Sequence, residues 1–195
     1  VTPNDRQLDA LREVANVGAG HAANALSRLV GGRKVAIEVS RASLVDTASV
    51  PALVGREGER VVAAFLGILG EVNGVLALVL PEDAAQSLCA LLLNAPCDTI
   101  AEAARDALAE TSNILGSACL TALSQLTGYR LIPSVPTLLE GTAEEVVRAM
   151  AVAGGEPGQV ALVLETQLLS PPVVGQLFLM PAPQSVRPLL ERLGV

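Results

Sequence analysis

Residues 8–31, LDALREVANVGAGHAANALSRLVG, come back at residues 105–128 as RDALAETSNILGSACLTALSQLTG. An internal repeat constrains the fold more than any other feature here, because whatever one copy packs against needs a counterpart for the other. The copies share Asp, Ala, Leu, Glu and Asn near their start, the Ala-Leu-Ser of Ala25–Ser27 and Ala122–Ser124, and a closing glycine at Gly31 and Gly128. A constant spacing of 97 residues sets Asp9 against Asp106, Glu13 against Glu110 and Asn16 against Asn113.

Each copy reads as a two-faced helix. Leu8, Leu11, Ala15, Ala22, Leu26 and Leu29 recur at steps of three and four and form an apolar stripe. Asp9, Glu13 and Asn16 follow at i, i+4 and i+7 on another face. Asp106, Glu110 and Asn113 repeat that arrangement against Leu108, Leu123 and Leu126. Gly18 and Gly20 cost the first helix about 1 kcal/mol each relative to Ala. Small residues follow each Asn on its own side: Ala19, Gly20 and Ala23 after Asn16, Gly116 and Ser117 after Asn113. They predict a bare surface open to a second backbone, unless the glycines simply pack on a neighbouring element.

The rest of the chain follows the repeat. KVAIEVS (34–40) reads as a strand after Gly31-Gly32, and 44–55 as a short helix or irregular connection. The apolar run 61–80 has the length of a bilayer span, but Gly70, Glu71, Asn73 and Gly74 in its middle predict a buried hairpin. Pro81-Glu82-Asp83 opens a helix that Asn94–Pro96 ends, and Asp98 or Thr99 is placed to cap the next helix with help from Glu102. RLIPSVP (130–136) then stands where KVAIEVS stood, 142–154 is a helical connection, and 159–180 holds two more strands. QSVRPLLERLG closes as a helix with Pro188 near its first turn. The expected fold is α+β, an α/β sandwich. It is internally duplicated about a pseudo-two-fold axis, with halves of about 5–97 and 98–195 and two equivalent long helices on one sheet.

Composition narrows the function. Half the residues are apolar, yet there is no Trp, one Tyr and two Phe, so the core rests on Ala, Leu and Val. A net charge of −7 with no basic run argues against nucleic-acid binding. Cys89, Cys97 and Cys119 follow no metal spacing, and His21 adds no zinc site, so neither metal nor disulfide is expected and a reduced cytoplasmic setting fits. VTPNDRQLDAL carries no signal-peptide pattern. The chain has no Walker-type phosphate loop, no GxSxG elbow and no Cys–His pair at a recognisable spacing, and GGEPG (154–158) reads as a turn.

The pattern Asp-x-x-x-Glu-x-x-Asn, with Pro some two dozen residues on, resembles the signature of the CheC family, which with CheX and FliY comprises phosphatases of the chemotaxis response regulator CheY. Asp106, Glu110, Asn113 and Pro136 fit it throughout, whereas the first copy has Asp9, Glu13, Asn16 and then Val39 in place of Pro. The resemblance covers nearly the whole chain and implies a single CheC-like domain. It implies that Asn16 and Asn113 orient the attacking water, that Glu13 and Glu110 pair with the regulator's active-site lysine, and that Asp9, Asp106 and Pro136 support the motif. It further implies that phosphorylated CheY brings the aspartyl phosphate and its magnesium, and that the deamidase CheD is a second partner. Two other readings come with it: a FliY-like flagellar switch phosphatase, for which a chain ending at Val195 lacks the extra C-terminal domain, and a non-catalytic adaptor acting through CheD.

Overall fold

The computed structural model describes residues 4–29, 34, 36–54, 56, 58–154, 160–169 and 172–193. Their order begins α1 (Asp5–Leu29), β1 (Ile37–Asp46), a 3-10 turn, α2 (Val50–Val54), β2 (Arg60–Gly70), β3 (Gly74–Pro81) and α3 (Glu82–Leu93). It continues with α4 (Glu102–Thr127), β4 (Leu131–Pro133), β5 (Thr137–Thr142), α5 (Ala143–Gly154), β6 (Val160–Leu169), β7 (Pro172–Pro181) and α6 (Pro183–Arg192). The second series repeats the first, with β4 and β5 together in place of β1.

All the strand pairings are antiparallel, and the sheet order is β1-β6-β7-β3-β2-β4, with β5 also on β2. Exchanging the halves returns the same order read from the other end. The midline is the β3–β7 ladder, where Ala77 faces Phe178 and Leu78 faces Leu177. Each half lends its leading strand to the other, β1 to β6 and β4 with β5 to β2. Mixed helix and antiparallel sheet is therefore the observed class, as expected.

Side-chain alternation divides the core. Val62, Leu66 and Ile68 of β2, Leu76, Leu78 and Leu80 of β3, and Leu177 and Leu179 of β7 share one cluster with apolar residues of α1, α3, α4 and α6. Val61, Ala63, Val75, Ala77, Val79, Phe178 and Met180 point the other way, onto Val50 of α2 and Ala143 and Val146 of α5. The segments 44–55 and 142–154, expected as connections, thus cover the sheet's second face. With both faces covered, strands read as continuous apolar runs. The 61–80 hairpin forms as expected. Gly70 takes φ 127 at its turn, where a Cβ would run into the Arg130 carbonyl. No described helix is long and apolar enough to cross a membrane.

Helix ends depart from expectation in two places, at α4 and α6. Asn4 and Gln7 cap α1 reciprocally, Gln7 N donating to Asn4 Oδ1 at 3.1 Å and Asn4 N to Gln7 Oε1 at 2.8 Å. Ala101 occupies the N-cap of α4 with no side-chain bond, so neither Asp98 nor Thr99 caps it. Pro183 takes the first helical position of α6, which moves Pro188 to the helix interior. Asn94 and Gly128 end α3 and α4 in the left-handed conformation, as their positions predict. Gly31-Gly32 and most of GGEPG lie outside the described residues.

Candidate active site

The second triad sits on the outer side of α4. Leu108, Thr111, Ser112 and Leu115 turn inward, and the Thr111 and Ser112 hydroxyls are satisfied by donating to Ala107 O (2.8 Å) and Leu108 O (2.7 Å). Asp106 and Glu110 are exposed and Asn113 is half-buried. All three line an open cleft of about 390 Å³ with Ala109 and the segment Pro133–Pro136. The expected partners Asp106, Glu110, Asn113 and Pro136 therefore meet in space.

Neighbouring contacts hold α4 while leaving the triad free. Arg105 pairs with Glu140 of β5 and reaches Leu138 O at 3.4 Å. Among the described residues, Glu110 has no cationic partner and the Asn113 amide no hydrogen-bond partner, so a carboxylate and an amide face the cleft unengaged. No group of three or more His, Cys, Asp or Glu gathers there or elsewhere in the described residues.

The opposite wall arises from a break in pairing. Pro133 pairs with Ile68 and Thr137 with Phe65, so Ser134, Val135 and Pro136 stand opposite only Leu66 and Gly67. The extra residue is a bulge, and prolines at two of the four positions withdraw ladder donors. Ser134 fastens the break to β2: its N donates to Gly67 O at 2.8 Å, and its Oγ accepts from Gly67 N at 2.8 Å. Leu131 N on Ser124 Oγ (3.2 Å) and Arg130 N on Glu71 Oε2 (2.8 Å) hold the approach. Val135 is left 85% exposed at the cleft. Ser134 and Val135 were not singled out from sequence; the Pro-x-x-Pro spacing inside an expected strand was the signal available.

The first triad lies on α1 with Asp9, Glu13 and Asn16 all exposed. Beside it β1 continues almost intact: Glu38 pairs with Gln167 and Val39 with Thr166, and a one-residue register shift follows before Arg41 meets Glu165. Val39 is 5% exposed and belongs to the core with Leu11 and Ala15 of α1, whereas Pro136 lines the cleft. The expected bare surface after each Asn is not common to the two copies. Ala19 is buried, and Gly116 packs on Leu66 and Leu76. Gly18 lets α1 approach α4 closely, where a Cβ would lie 3.0 Å from Cys119 Cα. Gly20, by contrast, is exposed, with nothing near a Cβ. Close packing, not a ligand, accounts for Gly18 and Gly116.

Comparison with known proteins finds family matches in both parts of the chain. Residues 62–168, spanning the second, match the family described as Chemotaxis phosphatase CheX, and residues 7–39, spanning the first, match the CheC-like family. The "CheY-P phosphatase CheC" of Bacillus subtilis is 30% identical over 97% of this chain and 95% of its own length. FliY of Thermotoga maritima has the same fold, with a TM-score of 0.81 at 17% identity, covering 100% of this chain and 98% of that one. CheX from Desulfovibrio desulfuricans aligns with a TM-score of 0.56 at 16% identity, over 86% of this chain and 99% of that one. Sequence likeness across both motif copies and nearly the full length makes this chain a member of the CheC/CheX family of chemotaxis phosphatases.

Proposed function

We propose that the chain hydrolyses the aspartyl phosphate of a CheY-type response regulator, using Asn16 and Asn113 to position water and Glu13 and Glu110 to dock the regulator. The observation carrying this reading is the cleft in which Asn113, with an unengaged amide, stands beside Glu110, Asp106 and Pro136. Family membership and the named activity of the Bacillus subtilis relative support it.

Acyl phosphate hydrolysis has a loose transition state, so positioning and electrostatics outweigh proton abstraction. An Asn carbonyl accepts from the attacking water while its NH2 meets phosphoryl oxygens. Water forms the new P–O bond as the bond to the aspartyl carboxylate breaks, that carboxylate leaves with the electron pair, and the water's proton ends on phosphate. Glu110 and Glu13 pair with a lysine of the regulator, and the magnesium stays with the regulator's acidic pocket. Asp9 and Asp106 support the helices one turn earlier. CheD is proposed as a second partner, with the cytoplasm as the setting.

The test is dephosphorylation of phosphorylated CheY by Asn16→Ala, Asn113→Ala and the double variant. Loss of one positioning hydrogen bond of the oxyanion-hole kind costs about a hundredfold in rate. Each single variant keeps the other site, Asn113→Ala loses more, and the double variant loses nearly all acceleration. Glu13→Ala and Glu110→Ala raise the regulator concentration needed. A double variant as active as the parent chain rules the mechanism out.

A further inference from the structure

We infer that Val135 is the specificity-determining contact of the second site: an exposed apolar side chain that packs on the regulator's surface beside its phosphoryl group and makes this site the stronger docking point. This inference rests on the function proposed above.

Val135 is a large hydrophobic side chain left 85% exposed, the most exposed of its kind among the described residues. Scattered exposed apolar residues are ordinary on a surface, but this one lines the same cleft as Glu110 and Asn113. Any partner that brings a phosphoryl group to Asn113 must therefore approach Val135. Its backbone is held before the partner arrives: Ser134 is bonded at both N and Oγ to Gly67, and Pro136 follows directly. A β-branched side chain has little rotamer freedom to lose. A knob already fixed in place contributes affinity without an ordering cost.

The first site differs at this position. The 97-residue spacing that pairs Asn16 with Asn113 pairs Glu38 with Val135. Glu38 is exposed on β1, which pairs with β6 through Glu38 and Val39 where the second site breaks into its bulge. Val39 packs with Leu11 and Ala15 of α1, so strand alternation turns Glu38 to the other face of the sheet, and the first site has no counterpart of the exposed Val135 methyl groups at this position. The discrimination between the sites therefore rests on the apolar contact that Val135 adds at the second.

The experiment has two arms. In the Asn16→Ala background, which retains the second site, KM and kcat for phosphorylated CheY are measured with Val135→Ala and Val135→Glu. Removing two buried methyl groups raises KM about tenfold, Val135→Glu raises it further, and kcat is unchanged in both. Leu93→Glu, a charge change at an exposed leucine on α3, leaves KM unaltered. In the second arm, the catalytically disabled Asn16→Ala/Asn113→Ala chain is titrated with CheY carrying beryllium fluoride, with and without Val135→Glu. Weaker binding by the Val135→Glu chain supports the inference whatever the catalytic residues prove to be. Unchanged binding, or a loss in kcat with KM constant, overturns it. Full activity in the Asn16→Ala/Asn113→Ala chain would instead overturn the catalytic reading alone. Unchanged melting midpoints confirm that residue 135 acts through docking.

Discussion

Gly18 and Gly20 lie two residues apart in one helix and should respond oppositely to alanine. Replacing a helix-interior glycine by alanine gains about 1 kcal/mol through backbone propensity. At Gly20 nothing would touch the new Cβ, so Gly20→Ala should realise that gain, raising the melting midpoint by about 2–4 °C for a chain of this size. At Gly18 the same methyl would stand 3.0 Å from Cys119 Cα and 3.3 Å from Ala118 O. Both are backbone atoms of α4, which cannot rotate aside as a side chain can. Overpacking of this kind costs about 1–3 kcal/mol, which cancels or exceeds the propensity gain. Gly18→Ala should therefore be neutral to about 2 kcal/mol destabilising, leaving the two variants about 1–3 kcal/mol apart. Urea unfolding of both, with equal m-values, measures the difference. Gly18→Ala as stabilising as Gly20→Ala would refute the close crossing of α1 and α4.

Ser134→Ala leaves Gly67 N without its acceptor, so it should cost about 1–3 kcal/mol and raise KM at the second site with little change at the first; kinetics in single-site backgrounds report both. Arg105→Ala should lose no more than about 1 kcal/mol, because its pair with Glu140 is partly exposed, and added salt should narrow the gap in thermal melts. Burial pushes the thiols of Cys89 and Cys119 up to about 12, with Cys97 adding to the effect on Cys89. A water-soluble disulfide reagent at pH 8 should therefore label Cys97 first. Since both thiols stay protonated when folded but ionise near 9 when unfolded, their contribution is intact below pH 9 and should be lost as pH rises from 9 towards 12; urea titrations across that range test the slope.

The repeat made the fold legible because it fixed which segments must be equivalent, and the hairpin because Gly70–Gly74 interrupts two apolar runs. Both triads fell on outward helix faces for the same reason: 3.6-residue periodicity separates them from the leucines. Three things escaped periodicity. The covering role of α2 and α5 depends on the sheet having two buried faces, which short segments do not declare. The start of α4 at Ala101 lacks a side-chain cap, so propensity favoured residues two and three places earlier. The cleft wall at Ser134–Pro136 is a matter of register: one more residue on one strand than on its neighbour, detectable only once pairing on both sides is known.

The exchange of leading strands between the halves has a consequence for how the chain comes to be folded. β1 is made early in synthesis and finds its ladder only on β6, more than a hundred residues later, while β3 waits as long for β7. Such distant pairings make for slow folding and leave strand edges exposed until the last strands emerge. Once closed, the same exchange acts as a clasp. Each half supplies a border strand to the other, and the midline ladder joins them again, so the connection from Asn94 to Ala101 carries little of the mechanical load. A chain cut there should keep both triads in place, and two separately made halves should find each other.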